Sequence, residues 1–102
     1  MYTLEYLPIA RRDMVDIAKY IGVKLANPTA AERLAEKIIE SAEKLTDMPY
    51  KCPVYTPINP LMHEYRKLIV QNYIMFYWVD EDKKLVTISR IVYSGRDYKK
   101  LL

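Results

Sequence analysis

Four residues near the C-terminal end of the chain could do chemistry together: Arg66, Tyr93, Arg96 and Tyr98. Arginine presents a planar fork of donors that matches a phosphate. Tyrosine can stack on a nucleotide base, or move a proton if its pKa is lowered. A set of this kind could hold a nucleic-acid segment. Arg96 follows Gly95 directly at a strand end, where rigid sheets often carry functional loops. Arg90 interrupts the apolar run Val86-Thr87-Ile88-Ser89-Arg90-Ile91-Val92, so it must snorkel, pair or serve a ligand. Lys67, Arg90 and Arg96 are therefore candidate contacts for a target or partner. The ordinary alternative is a solvated strand face with surface ion pairs, for instance to Glu64 or Asp97. For Tyr65, Tyr73 and Tyr77 the ordinary role is expected, half-buried with a wet hydroxyl.

Other chemistries find little support. The lone histidine, His63, would have to serve any Ser-His-Asp or Cys-His scheme. It could meet Cys52 near the same loop, but nothing in the spacing orients a third group. A lone cysteine leaves no internal disulfide and no thiolate set for zinc. Gly-rich phosphate loops and nucleophile elbows are absent. No cofactor and no metal are expected.

The elements that must position these residues follow from periodicity. Residues 1–7 form a plausible strand ending at Pro8, which suits the first position of a helix. Met14, Ile17, Ala18, Ile21 and Leu25 recur at helical spacing, which predicts a helix over 8–25. Arg11, Arg12, Asp13, Asp16, Lys19 and Lys24 supply its polar face, and Gly22 should fray its last turn. Asn27-Pro28 restarts a helix over 28–48, with Ala31, Leu34, Ala35, Ile38, Ala42 and Leu45 as its stripe. So short a link makes the two helices antiparallel neighbours. Residues 49–62 hold four prolines and predict an extended loop, with a short edge strand at 52–55.

Residues 63–93 predict an antiparallel meander. Its strand Tyr73-Ile74-Met75-Phe76-Tyr77-Trp78-Val79 is apolar on both faces, so it should be central and covered on one side by helices. Asn72, in the turn Gln71-Asn72, is expected to take the left-handed backbone of a tight hairpin. A tail at 94–102 ends in a helical turn. The class is α+β: an N-terminal strand, an antiparallel two-helix hairpin, then a three- to four-stranded antiparallel meander in a single domain of 102 residues.

Half the residues are hydrophobic, enough for a core at this length. Net charge is +3. Residues 1–60 balance, so the whole excess lies in the strand half, which favours an acidic partner. No apolar run reaches the roughly 20 residues of a membrane helix. The N-terminus lacks a signal-peptide pattern, so a cytoplasmic protein is expected, with no membrane partner.

The order and spacing of several pieces resemble the RelE/ParE superfamily of type II toxin–antitoxin toxins, with the ParE-like, plasmid-stabilising branch favoured. The pieces are Ala10-Arg11-Arg12-Asp13-Met14-Val15-Asp16-Ile17-Ala18-Lys19-Tyr20-Ile21, Asn27-Pro28-Thr29-Ala30-Ala31, Leu45-Thr46-Asp47-Met48-Pro49, Arg66-Lys67-Leu68-Ile69-Val70, Asn72-Tyr73-Ile74-Met75-Phe76-Tyr77, and Arg90-Ile91-Val92-Tyr93-Ser94-Gly95-Arg96-Asp97. The resemblance implies a curved sheet carrying a helical hairpin, a cognate antitoxin that wraps the toxin in a hetero-oligomer, and growth arrest when the antitoxin is lost. Two targets fit it. ParE-like members inhibit DNA gyrase. RelE-like members cleave mRNA on the ribosome without a metal, and there Arg66, Arg96, Tyr93 and Tyr98 would be catalytic. A decayed member that binds a partner without toxicity is a third reading. Ile74 stands where RelE-type nucleases commonly carry arginine, and it cannot stabilise a phosphate oxyanion. Tyr93 stands where a histidine is often found. Both departures tilt the expectation toward gyrase.

Overall fold

A computed structural model describes residues 1–56 and 63–98. The chain runs β1 (Thr3–Tyr6), α1 (Pro8–Lys19), α2 (Pro28–Glu43), β2 (Arg66–Val70), β3 (Tyr73–Asp80) and β4 (Leu85–Tyr93). The strands form one sheet in the order β1-β4-β3-β2. β2, β3 and β4 are the expected antiparallel meander, and β1 pairs in parallel with β4, from Thr3↔Leu85 to Tyr6↔Ile88. This is the α+β arrangement that the sequence pattern predicts.

Local sequence explains each element. Pro8 opens α1 at a position whose N–H would be unpaired anyway. The helix does not simply fray at Gly22. Residues Tyr20–Lys24 widen into a π-turn, with the Leu25 N–H donating to the Tyr20 carbonyl five residues back, at 3.0 Å. Packing does not demand a glycine at Gly22, since a Cβ there would meet the Ala31 Cβ at 3.6 Å, an ordinary contact. Ala26 reverses the chain in left-handed backbone. The Asn27 side chain then caps α2 by accepting from the Ala30 N–H at 3.1 Å. Ala31, Leu34, Ile38 and Ala42 form the buried stripe. α2 stops at Glu43, earlier than residue 48, and tightens into a 3₁₀ turn at Lys44–Thr46 that drives Leu45 fully into the core.

β3 lies inside the sheet, as its apolar composition requires. Met75 and Tyr77 pack toward the helices with Leu34, Ile38, Val86 and Ile88. Ile74 and Phe76 build a second cluster on the opposite face with Tyr65 and Val92. Each such fully buried apolar side chain contributes roughly 1.5–3 kcal/mol. The left-handed residue of the β2–β3 turn is Gln71, not Asn72. Tight two-residue hairpin turns require positive φ at the first central position, which Gln71 occupies.

The outer half of β4 has an unusual support. The register shifts between Phe76 and Tyr77, which pair with Arg90 and Ile88, so Ser89 bulges. β1 has ended by then, and its last bond is the Leu7 N–H to the Ile88 carbonyl at 2.9 Å. The Asp13 carboxylate takes over as acceptor. It receives the Ile91 N–H at 3.0 Å and the Arg90 guanidinium through two bonds of 2.8 and 2.9 Å. Both charged side chains are about nine-tenths buried, at 12% and 11% exposure. Asp13 thus turns to the sheet and not, with the rest of its polar face, to water. Arg90 resolves its position in the apolar run by pairing.

Removing one member of a buried pair leaves the other charge unmatched, at a cost of about 3–5 kcal/mol. Asp13→Ala is therefore expected to lower unfolding free energy by that amount in urea titration. Asp16→Ala on the same helix, at an exposed position, should change it by no more than about 0.5 kcal/mol.

Candidate functional site

Arg66 begins β2, and its side chain is mostly buried. Its guanidinium donates to the Cys52 carbonyl at 2.7 Å and the Tyr50 carbonyl at 3.3 Å. It also lies 3.5 Å from the Glu64 carboxylate and 5.0 Å from the centre of the Tyr50 ring. Tyr77 reaches the same stretch from β3. Its hydroxyl is buried and donates to the Pro49 carbonyl at 2.8 Å, so it is not wet as expected. Burial, ahead of a contact with Cys52, pushes its pKa up. Together these side chains satisfy carbonyls of a proline-rich segment that lacks regular partners. The expected edge strand is reduced to a bridge between Val54 and Arg66, flanked by the bonds Tyr55 N–H to Tyr65 C=O and Lys67 N–H to Pro53 C=O. Pro57 and Pro60, in the rest of that loop, lie outside the described residues.

Tyr50 extends this anchorage to the other end of the sheet. Glu81 accepts from the hydroxyls of Tyr50 at 2.6 Å and Tyr2 at 2.8 Å, and pairs with Lys84. The Lys84 bond, then those of Tyr50 and Tyr2, hold the Glu81 carboxyl at about 2, well below its ordinary 4.5. The bond to Glu81 pushes the Tyr50 hydroxyl up to about 12.

Tyr98 lies on the sheet face away from the helices. Its ring centre is 5.2 Å from Phe76 and 5.8 Å from Tyr55. Lys67 stands 5.8 Å above the Tyr55 ring. On the same face His63 stacks flat on Trp78 at 3.8 Å, with Tyr65 edge-on to both. His63 therefore belongs with this aromatic cover, whereas Cys52 packs in the helix-side core, and the two form no pair. Ile74 is buried beneath the cover. Burial raises the Tyr55 pKa, which keeps that phenol a donor and not a base. The helical turn expected at the end of the tail falls on residues 99–102, outside the described residues.

Tyr93 and Arg96 sit elsewhere again, at the end of β4. The turn is closed by the Arg96 N–H to the Tyr93 carbonyl at 3.0 Å and tied to the β2–β3 turn by the Ser94 N–H to the Asn72 carbonyl at 2.8 Å. Gly95 lets the Tyr93 ring fold over the turn, since a Cβ there would stand 2.5 Å from its Cε2. Tyr93 and Arg96 line a cleft of about 490 Å³ with Asp13, Asp16, Ile17, Tyr20, Tyr73, Ile91 and Val92. Tyr20 is the member that the apolar stripe left out, although it follows Asp13, Asp16 and Ile17 at regular helical spacing.

The four candidate catalytic residues are thus not brought together. Arg66 and Tyr93 flank β3 on opposite sides, opposite Tyr77 and Tyr73 respectively. Two strand spacings and a four-residue offset put their Cα atoms roughly 16 Å apart. Among the described residues, no three His, Cys, Asp or Glu side chains converge as a metal site would require. No helix of the described residues is long and apolar enough to cross a membrane.

The sequence from residue 4 to residue 98 matches the model of the ParE toxin of type II toxin–antitoxin systems, parDE. The chain belongs to this family. Solved structures agree on the fold. The chain from the chromosomal ParDE system of P. aeruginosa superposes with a TM-score of 0.74 at 21% identity, over 91% of this chain and 96% of that one. One from the toxin–antitoxin complex RelBE2 of Mycobacterium tuberculosis gives 0.64 at 22%, over 90% and 96%. The isolated E. coli RelE toxin gives 0.59 at 17%, over the whole of both chains. No curated protein sequence matches. In this ParE-family chain, then, the strand-end cations stand on a fold that both kinds of neighbour share.

Two measurements check the anchorage. Arg66→Ala strands the Tyr50 and Cys52 carbonyls, so it should cost about 1–3 kcal/mol. It should also speed amide exchange at Tyr55 and Lys67 before the rest of the sheet. Glu81 titrates low when folded, so its contribution is present above about pH 4.5 and is lost as the pH falls toward 2. Its carboxyl resonance should follow a midpoint near 2, and a midpoint near 4.5 would disprove the cluster.

Proposed function

We propose that this chain is a cytoplasmic, growth-arresting toxin that acts by contact on DNA gyrase and is silenced by a cognate antitoxin. The observation that carries the choice of target is the dispersal of the nuclease set. Arg66 is tied to backbone carbonyls, Tyr98 is packed on Phe76, and the Tyr93 Cα stands roughly 16 Å from that of Arg66. Phosphoryl-transfer catalysis without a metal needs converging donors around one phosphate. Ile74 supplies none, being buried among aromatic rings.

An antitoxin helix has a suitable seat. Leu4, Met14, Val15, Ala18, Ala35 and Ile39 line an apolar groove of about 500 Å³ where α1, α2 and β1 meet. Val15 and Ile39 are exposed there. The Tyr6 hydroxyl is buried with no hydrogen-bond partner among the described residues. An amphipathic helix fits such a groove through anchors at i, i+3 and i+4. The structural neighbours from ParDE and RelBE2 systems support a partner of this kind.

A RelE-like reading retains one favourable observation, that Tyr93 and Arg96 share a cleft. Controlled expression with pulse labelling separates the two. We expect DNA synthesis to fail first with translation intact, and the purified chain to block gyrase supercoiling. Early loss of protein synthesis with mRNA cut inside codons would overturn the gyrase reading. Absence of any growth effect would leave a partner-binding member without toxicity.

A further inference from the structure

The cleft at the end of β4 has features that neither gyrase inhibition nor antitoxin binding in the helical groove explains. Its walls are aromatic. Tyr20 and Tyr93 keep about half their surface exposed, at 50% and 53%. Tyr73 meets Tyr93 edge to face, with ring centres 5.9 Å apart. Ile17 and Ile91 line the cleft beside them. Burial, then the neighbouring Tyr20 and Tyr93, raises the Tyr73 pKa, in keeping with three phenols around one space.

The charges of the cleft are not equivalent. Asp13 is matched by Arg90 and by the Ile91 N–H. Asp16, three residues further along the helix, is exposed, and its carboxylate has no ion pair or hydrogen bond among the described residues. Arg96 stands at the rim without an ion pair among them. A carboxylate that shares a cleft with three tyrosines attracts a cation by charge, and a ring face adds to this through its quadrupole. At about 490 Å³ the cleft admits a long side chain with part of its backbone.

We propose that Tyr20, Tyr73, Tyr93 and Asp16 form a cage for the basic side chain of a partner protein, an arginine or lysine reaching in from an extended segment. Charge complementarity sets the occupant, because the unmatched carboxylate of Asp16 shares the cleft with the rings while the cation Arg96 lies at the turn. Arg96 fixes the direction of entry by repelling the basic group toward Asp16. Gly95 is part of the device. It holds the place where a methyl group would displace the Tyr93 ring.

The test uses the purified full-length chain and three short blocked peptides, each with one variable residue between glycines: arginine, its neutral isostere citrulline, or glutamate. Binding is followed by shifts of the tyrosine ring resonances. The arginine peptide should perturb Tyr20, Tyr73 and Tyr93 and bind at least about tenfold tighter than the citrulline peptide. Asp16→Asn, an isosteric change at an exposed position, should remove most of that preference. Gly95→Ala should weaken arginine binding while the fold, checked by circular dichroism, persists. Equal binding of arginine and citrulline, a preference for glutamate, or shifts confined to other residues would each overturn the cage. Toxicity is not a readout, so the cage and the proposed target succeed or fail separately.

Discussion

The structure depends most on the carboxylate of Asp13. A sheet whose edge strand ends early leaves donors unpaired on the next strand, and a buried unpaired N–H costs about as much as a lost hydrogen bond. β1 is four residues long and β4 is nine. The difference has to be covered by something other than a strand. Asp13 does so from α1, and the same carboxylate neutralises Arg90. The bidentate geometry fixes the helix in both translation and rotation relative to β4. With α1 fixed, α2 follows through the close approach at Gly22 and Ala31, and the helical groove and the β4 cleft form on either side of α1.

The second constraint is the two-sided burial of β3. One face takes the helices. The other has no helix over it among the described residues, so Tyr55, Tyr65, Trp78 and Tyr98 pack against it instead. That choice commits the loop after α2 to the sheet. Arg66 and Tyr77 hold its carbonyls, and Tyr55 is carried across to Phe76. A tail tyrosine that sequence suggests for proton transfer becomes a packing residue for the same reason.

Much of this was legible in the sequence, and the misses have physical causes. Helical spacing located α1 and α2 because their stripes are regular, and the central place of β3 followed from its apolar faces. The parallel partner of β1 did not, since pairing Thr3 with Leu85 leaves no local trace. Arg90 could be expected to pair, but its partner could not be chosen. Asp13 lies on the polar side of the stripe, and periodicity does not say which polar residue sits at the edge facing the sheet. The π-turn at Tyr20–Lys24 depends on one extra residue in a helical turn, below what spacing resolves. Gln71 took the left-handed position because turn geometry dictates the place and outweighs the preference of Asn72. Of the candidate site, Tyr93 and Arg96 were legible as neighbours, since only Ser94 and Gly95 lie between them. The distance of Tyr93 from Arg66 was not, because it depends on strand register, nor was the sheet face that Tyr98 crosses to.

That division bears on how a basic half should be weighed. The excess of three positive charges lies entirely in residues 61–102. Charge on a surface can gather a polyanion only where the cations are free and close together. Arg90 is matched by Asp13, and Arg66 is held by carbonyls with Glu64 nearby. Lys84 is paired with Glu81, at the far end of the sheet from the β4 turn. Lys67 faces an aromatic ring on one side of the sheet, and Arg96 stands at a cleft lined by helix α1 on the other. These five described cations are therefore distributed through the scaffold. Distributed in this way, these cations do not make the free, close-set patch that gathers phosphates.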